Sequence, residues 1–484
     1  MPSSLASQLA AARPQVQAAR ADAGGLRSRP SLLFSPSEAA ELDNEAIRNI
    51  GVSGLQELLA HEPSLGRFEK TLFVRGAAEF RRENQTAEVI RSLDGSIRAL
   101  LGAVSPFFLL RPALKVIEFL IRRYSAHQHN VDALLECALP YHTTLQFVRL
   151  VQLIEPQGRW LFLAGVKKTG SPLSRSVLAG CCLRDLSVLQ FICGIAKAET
   201  AGRTAVNLFL TVSCEALASE GSVTDGLALA LMPTLLEGLR AAKRPDMQSA
   251  SYMVGSLLSR KALLAAEASD TLLRVIAQYA PRADPAPAVL TLAAVCHFQR
   301  PKELSEETFS AIAKLPSLPA LLQTASETSD VEALLGVLLP CMVQHVAEGG
   351  TCGDDLKAIA TSVGVGAQVP CVAEAVIDEC LRLAHEDDGP SNSREQASAQ
   401  QLHALLRALA LRYPSQMDLV VTDVLKRGSA EGAGDEVLEL LSVTFRGTRH
   451  APVGEGGTTM LLALEHPTAA VRLAAINALA SQPD

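Results

Sequence analysis

The chain has 484 residues, of which 48% are hydrophobic, 20% charged and only 4% aromatic, a composition typical of globular proteins that excludes a disordered or collagen-like polymer. Its ten cysteines include no Cys-x-x-Cys pair, which argues against a disulfide framework or a zinc motif and favours a reducing compartment. The net charge of −7 is uneven: residues 1–203 carry +6 and residues 204–484 carry −13. A uniformly basic nucleic-acid domain is disfavoured, although the N-terminal half could contact phosphate or an acidic partner.

One candidate targeting segment lies at the start of the chain. Residues 1–21 are rich in Ala and Ser, contain Arg13 and Arg20 and lack acidic residues, as an organelle transit peptide does. No membrane span is predicted, because the longest interval without Asp, Glu, Lys or Arg, residues 358–373, is interrupted by Gly and Pro and is shorter than the ~18 apolar residues required.

The clearest predicted helix covers residues 110–124. Its apolar stripe has helical spacing and consists of Leu110, Leu114, Ile117, Ile121 and Tyr124. Lys115, Glu118 and Arg122 fall on the opposite side, where Glu118 and Arg122 stand one turn apart and can form an ion pair. Pro112 falls in the first turn, where its missing N–H is tolerated.

Similar stripes recur along the chain, whereas strand signals are nearly absent. The stripes cover residues 38–60, 86–103, 131–138, 187–198, 203–218, 225–242, 247–264, 268–279, 286–298, 330–347, 372–384, 397–412, 417–427, 435–445, 458–464 and 468–480. Residues 460–479 have the helix, His-Pro turn and helix pattern of a HEAT repeat, in which each helix pair must stack on its neighbours to bury its apolar face. The predicted fold is all-α, an α-solenoid of HEAT-like helical hairpins with an irregular N-terminal part.

The irregular part is predicted between residues 143 and 176. Residues 155–164 look extended, and we interpret the stretch as an insertion over the helical core, anchored by the only tryptophan, Trp160. Residues 387–394 are predicted to be a solvated linker.

Motifs for catalysis or cofactors are not found. There is no Gly-Lys dipeptide for a phosphate-binding loop, and His127 and His129 stand two residues apart, a spacing that places them on different sides of a helix. Cys137 adds no metal-binding pattern to them, and Cys181 and Cys182 are predicted to pack in the core. We therefore predict no enzyme activity, no catalytic, cofactor or metal site, no cofactor and no small-molecule substrate.

Adjacent basic residues are the candidate contacts with RNA phosphate or an acidic partner. They are Arg81 and Arg82, Arg122 and Arg123, and Lys167 and Lys168. The alternative interpretation is that they are solvated surface. If they are contacts, replacing Arg122 and Arg123 with Glu should weaken capture without unfolding the chain.

Several ordered segments in the N-terminal part resemble one known family. They are residues 31–40 (SLLFSPSEAA), 54–58 (GLQEL), 68–73 (FEKTLF), 105–115 (SPFFLLRPALK), 118–122 (EFLIR), 130–134 (NVDAL) and 139–149 (LPYHTTLQFVR). These segments are similar to the HEAT-repeat protein of the small-subunit processome, U-three small-nucleolar-RNA-associated protein ten. Residues 4–9 also resemble the start of that family, which argues against the transit peptide.

The resemblance implies a function and a set of partners. It implies a non-enzymatic nucleolar scaffold of the small-subunit processome, acting in pre-rRNA transcription and processing and in 18S rRNA maturation. Implied partners are processome proteins including WD-repeat subunits, the pre-rRNA 5′ external transcribed spacer and the small nucleolar ribonucleoprotein, without a membrane. The bare repeat pattern would equally fit a HEAT-type protein-interaction adaptor in another pathway.

The expected organisation has four segments. Residues 1–30 form an N-terminal helix and flexible segment, 31–200 a family-specific helical region, 201–386 a helical-repeat region and 387–484 a HEAT-repeat region. Because members of the family are several times longer, the chain is interpreted as an N-terminal fragment or a truncated gene product, with an exposed apolar face after Leu479.

Overall fold

The structure is a computed structural model. It describes residues 31–445 except for 75, 77–78, 220–222, 365, 386–392, 432–433 and 446–449, together with residues 450, 464, 472 and 476. The chain divides into two compact units, Met1–Ala262 and Leu263–Asp484. Every regular element in the described part of both units is a helix, which confirms the predicted all-α fold. The N-terminal segment 1–30 and almost all of the repeat at 460–479 lie outside the described residues, and the four predicted segments stay predictions.

The first unit contains thirteen described α-helices. They are α1 (Pro36–Glu41), α2 (Asn44–Leu59), α3 (Ala87–Val104), α4 (Arg111–Tyr124), α5 (Ala126–His129), α6 (Val131–Ala138), α7 (Leu145–Leu153), α8 (Ala164–Thr169), α9 (Arg175–Arg184), α10 (Leu186–Lys197), α11 (Arg203–Ser219), α12 (Asp225–Arg240) and α13 (Pro245–Lys261). Short 3-10 helices at Pro63–Phe68, Arg82–Asn84, Ser105–Phe107, Leu139–Tyr141 and Gly158–Leu163 connect the earlier ones.

The second unit contains ten described α-helices. They are α14 (Ala266–Gln278), α15 (Ala286–Gln299), α16 (Glu306–Ala313), α17 (Leu318–Thr328), α18 (Glu332–Ala347), α19 (Gly353–Ser362), α20 (Val369–His385), α21 (Ser393–Arg412), α22 (Pro414–Glu431) and α23 (Gly434–Thr444). No single described helix of the chain is long and apolar enough to cross a membrane; only α9 and α10, bent by 117° at their junction, satisfy length and composition as a pair.

Helices pack on their neighbours in the order expected of stacked hairpins. In the first unit α10 contacts α11 and α12, and α11 contacts α13; in the second, α20 contacts α21 and α22, and α21 contacts α23. A helix that packs on both the next helix and the next but one forms two layers with a shared apolar seam. This stacking, found within each unit, is that of HEAT-like hairpins.

Polar side chains fix where many of the helices begin. Each accepts a hydrogen bond from a backbone N–H of the first turn, a group that has no partner within its own helix. These N-cap residues are Ser35, Asp43, Thr86, Thr144, Ser174, Asp185, Thr224 and Ser305. The starts of these helices are thus specified by residues beside them in the sequence.

Helices α2 and α4 approach each other unusually closely. A Cβ atom at Gly51 would lie 2.6 Å from Cγ of Phe119, and one at Gly54 would lie 2.7 Å from the carbonyl oxygen of Pro112. Glycine at these two positions therefore lets the backbones meet. The predicted apolar stripe of α4 is confirmed at four buried residues, Leu114, Ile117, Ile121 and Tyr124. It is wrong at Leu110, which is the N-cap residue and is exposed.

The prediction of an extended stretch at residues 155–164 is wrong over most of its length. Residues 155–157 are not helical and Gln157 is extended, but Gly158–Leu163 forms a 3-10 helix and α8 follows directly at Ala164. The prediction that Trp160 anchors it is confirmed: the ring is buried, packs edge-on against Phe191 with centroids 4.7 Å apart, and donates from Nε1 to Oδ1 of Asp132 at 2.7 Å.

Candidate partner-binding surfaces

The histidines and cysteines singled out in the sequence have different surroundings. Among the described residues, no group of three His, Cys, Asp or Glu side chains is placed to hold a metal ion. His127 is half-buried, and burial lowers its pKa, whereas His129 is exposed. Cys137 is buried in the core, where desolvation raises the pKa of its thiol to about 12.

Most of the cysteines behave as apolar filler. Seven are buried, two are partly buried, and only Cys371 is exposed. Burial raises the pKa of Cys182, Cys296 and Cys380 to about 12, so these thiols stay protonated at neutral pH. The predicted core packing of Cys181 and Cys182 agrees with their burial.

Arg82, one of the candidate contacts, has its partners inside the first unit. Its guanidinium forms an ion pair with Asp94, with Nη1 donating to Oδ2 at 3.2 Å, and only 14% of the side chain is exposed. Burial raises the pKa of Asp94, but hydrogen bonds from Arg82 and Asn130 more than offset this, so the pKa lies below its usual value. Arg82 therefore joins the 3-10 helix at Arg82–Asn84 to the middle of α3, and its contact with Asn130 reaches the residue before α6.

Arg122 is buried more deeply still. Its side chain is 7% exposed and forms an ion pair with Glu118, whose side chain is 2% exposed. Arg122 also donates from Nη1 to the carbonyl oxygen of Ala39 at 2.9 Å, and Glu118 accepts from the backbone N–H of Leu32 at 2.7 Å. The predicted ion pair is confirmed, but its predicted position on an open face is wrong, because residues 31–39 cover it.

Two further candidates, Arg123 and Lys167, also have internal partners. Arg123 donates to the carbonyl oxygen of Phe80, and burial lowers its pKa. Lys167 donates to the carbonyl oxygen of Ile154 at 2.9 Å and pairs with Glu155 at 2.6 Å. Both side chains thus hold parts of the first unit together.

Arg81 and Lys168 are the exposed members of the set. Neither side chain has a hydrogen-bond or carboxylate partner among the residues that the structure describes. An exposed, unpaired cation is free to contact phosphate or carboxylate groups of another molecule. These two residues are therefore the candidates whose charge remains available.

Isolated surface arginines could not be identified by a search for adjacent basic residues. Arg67 and Arg98 line a cleft of about 350 Å³ together with Glu136. Arg98 forms an ion pair with Glu136, and the hydrogen bond between them raises its pKa, whereas the exposed Arg67 lies over the Phe68 ring at 4.7 Å. Only the folded chain brings these residues together, so sequence adjacency gave no signal for them.

The fold and these surfaces define a class of protein. The described helices stack as hairpins, most predicted basic contacts are internal, and unpaired cations stand on an otherwise well-packed surface. The stacking of helical hairpins is the feature of an all-α helical-repeat protein of the HEAT type.

Comparison with known proteins gives a family likeness consistent with this class. A family model described as U3 small nucleolar RNA-associated protein 10 matches residues 227–342. HEAT repeat-containing protein 1 from Homo sapiens is 31% identical over 481 residues, or 93% of this chain, and U3 small nucleolar RNA-associated protein 10 from Meyerozyma guilliermondii is 30% identical over 271 residues, or 53% of this chain. The resemblance predicted from the N-terminal segments is confirmed.

The chain covers only a part of these relatives. The alignments extend over 22% of the human protein, 22% of HEAT repeat-containing protein 1 from Danio rerio, which is 28% identical, and 15% of the Meyerozyma protein. The chain therefore spans about a fifth of the length of the first two relatives.

Proposed function

We propose that this chain is a non-enzymatic scaffold of the small-subunit processome, acting in nucleolar pre-rRNA transcription and processing and in 18S rRNA maturation. The observation that carries the proposal is the similarity across 93% of the chain to a HEAT repeat-containing protein, joined by relatives named for association with U3 small nucleolar RNA. Stacked helical hairpins support such a role, because they expose long rows of helix edges on which other molecules can assemble.

The proposed partners are processome proteins including WD-repeat subunits, the pre-rRNA 5′ external transcribed spacer and the small nucleolar ribonucleoprotein. Charge favours the first unit for any contact with RNA, since residues 1–262 carry +6 and residues 263–484 carry −13. Within the first unit, Arg81 and Lys168 are exposed and unpaired among the described residues, so we assign the contact to them. Arg82, Arg122, Arg123 and Lys167 would support that surface from inside.

Co-purification tests the assembly. The full chain, tagged and expressed in nucleolated cells, should recover external transcribed spacer RNA and processome proteins at low salt, and should concentrate in the nucleolus. Recovery of a transport or phosphatase complex without that RNA would favour an adaptor in another pathway and defeat the proposal.

Direct RNA contact needs a purified system. Binding of the chain to a transcript of the spacer should weaken as the salt concentration rises, which gives a negative slope of log affinity against log salt. The double variant Arg81→Glu, Lys168→Glu should make this slope less steep, by about 0.7 for each cation lost. The double variant Lys302→Glu, Lys357→Glu reverses two exposed lysines of the second unit, so it is the matched control and should leave the slope unchanged. Equal effects of the two changes would show that this pair makes no specific contact.

A further inference from the structure

A basic cleft lies in the acidic second unit, between α14 and α16. Its volume is about 720 Å³, within the range of small ligand sites, and residues of the segments that follow the two helices also line it. Residues 263–484 contain 28 Asp and Glu residues against 15 Lys and Arg residues. Three of these fifteen cations, Arg274, Arg282 and Lys314, line this one cleft, with Glu307 as its only acidic lining residue among those described.

The cations of the cleft are incompletely paired. Arg282 and Lys314 are exposed, and neither has a carboxylate partner among the described residues. Arg274 is joined to Glu307 through Nη1, but its Nε–H is buried and lacks an acceptor in the described structure. The Arg274 side chain as a whole is 36% exposed and lines the cleft, so a ligand carboxylate can reach the accessible part of its guanidinium.

The chemistry of the cleft fits carboxylates. A guanidinium presents two parallel N–H donors to a carboxylate, and the lysine adds a mobile point charge beside it. Apolar side chains of Ala277, Leu315 and Pro316 also line the cleft and can contact the backbone of an extended peptide. A short peptide that alternates acidic and small residues can make both kinds of contact.

RNA suits this cleft less well. Among the residues that the structure describes, no aromatic ring on which a base could stack lines the cleft. A polynucleotide also carries a charge on every nucleotide, so its flanking phosphates would lie against a unit with a net charge of −13, whereas a peptide can confine its few carboxylates to the cleft.

We infer that the cleft between α14 and α16 binds a short acidic peptide segment of a partner protein through Arg274, Arg282 and Lys314. This interaction lies outside the proposed RNA-contacting unit and does not depend on it. It would give the second unit a specific partner despite its acidic surface.

Fluorescence anisotropy of a labelled Glu-Ala repeat peptide, titrated with the full chain at low salt, tests the inference. The double variant Arg282→Glu, Lys314→Glu should bind the peptide at least about tenfold more weakly, because each position loses a charge-assisted hydrogen bond. Both residues are exposed, so the helical circular dichroism should be retained. Lys302→Glu, an exposed lysine outside the cleft, should change binding less than about twofold. An equal loss in this control, or no binding by the unaltered chain, would overturn the inference.

A gain of binding provides a sharper test. Glu307→Gln removes the carboxylate that occupies Arg274 and should tighten peptide binding by about threefold or more. Glu303→Gln removes the same charge outside the cleft and is the matched control. Equal tightening in both would mean that only net charge matters and would refute the site. Tighter binding of an oligouridylate than of the peptide, lost in the same double variant, would replace the peptide with RNA.

Discussion

Arg122 and Glu118 place two opposite charges where water is excluded. The pair sits under residues 31–39 and binds their backbone at both the Leu32 N–H and the Ala39 carbonyl oxygen. A buried ion pair contributes little to stability over an apolar pair of the same shape, but loss of one partner leaves an uncompensated charge. The pair therefore fixes the position of this segment on α4.

The structure argues against the expectation that replacing Arg122 and Arg123 with Glu would leave the fold intact, and the single change Arg122→Glu tests this. The new carboxylate would lie beside Glu118 in a buried site, and the free energy of unfolding should fall by about 3–5 kcal/mol in urea denaturation. Lys168→Glu, on the exposed end of α8, is the control and should shift it by less than about 0.5 kcal/mol. Similar urea midpoints for the two variants would contradict the buried position of Arg122.

His142 gives the first unit a dependence on pH. The ring is buried and its Nδ1 lies 2.8 Å from the carbonyl oxygen of Leu173, so Nδ1 carries the proton and donates. Burial lowers the pKa of His142, partly offset by this hydrogen bond, and the nearby Arg175 lowers it further. Below about pH 6.5 the unfolded chain binds a proton that the folded residue does not, so stability falls as the pH drops toward the folded pKa.

Replacement of His142 by Asn tests this linkage. The Asn amide can still donate to Leu173 but does not titrate, so the fall in the urea midpoint between about pH 7 and pH 5 should become shallower. It should not vanish, because burial also lowers the pKa of His127 and His403. An unchanged slope in the variant would show that His142 titrates alike in the folded and unfolded chain and would contradict its lowered pKa.

At the scale of the element, one-sided burial made most helices predictable. The stripes at 86–103 and 268–279 correspond to α3 (Ala87–Val104) and α14 (Ala266–Gln278), since a helix with one apolar face shows that face in its sequence. Gly158–Leu163 gave no such signal because a short 3-10 helix has a different period. Periodicity also could not show that residues 31–39 cover the polar side of α4, because that contact joins distant parts of the chain.

The close crossing of α2 and α4 depends on glycine. Gly54→Ala would place a methyl group 2.7 Å from the Pro112 carbonyl oxygen and should lower the free energy of unfolding by about 1–3 kcal/mol. Gly95→Ala is the matched control: Gly95 lies within α3 with open space around it, so alanine should stabilise the chain by about 0.5–1 kcal/mol. Thermal or urea unfolding of both variants should give changes of opposite sign, and a shared sign would argue against the crossing.

At the scale of the whole molecule, ion pairs repeat with the hairpins. Arg98 pairs with Glu136, 38 residues later, and Arg274 pairs with Glu307, 33 residues later. Arg175 and Glu215, Lys197 and Glu237, and Arg203 and Asp246 are similarly spaced. The spacing is near the ~40 residues of a HEAT repeat, so a cation on one helix meets an acid on the equivalent helix of the next hairpin. A count of charges along the sequence does not reveal this spacing of ion pairs. It does show that the two halves of the chain carry net charges of opposite sign.

The Lys197–Glu237 pair is suited to a charge-reversal cycle. Both side chains are partly exposed, so Lys197→Glu and Glu237→Lys should each lower the free energy of unfolding by less than about 1 kcal/mol, and the double reversal should restore most of the loss. High salt should reduce these differences. A double reversal no better than the sum of its parts would mean that the two residues do not interact.

The buried cysteines can report on local opening of the folded chain. Cys137, Cys182 and Cys193 lie in the first unit and Cys296, Cys352 and Cys380 in the second, all buried. A thiol reagent can modify such a residue only while its helices separate from their neighbours, so the rate of modification reads the local opening equilibrium. Mass spectrometry of samples taken at timed intervals would therefore rank the hairpins by how often each one opens. No cysteine has to be introduced by mutation.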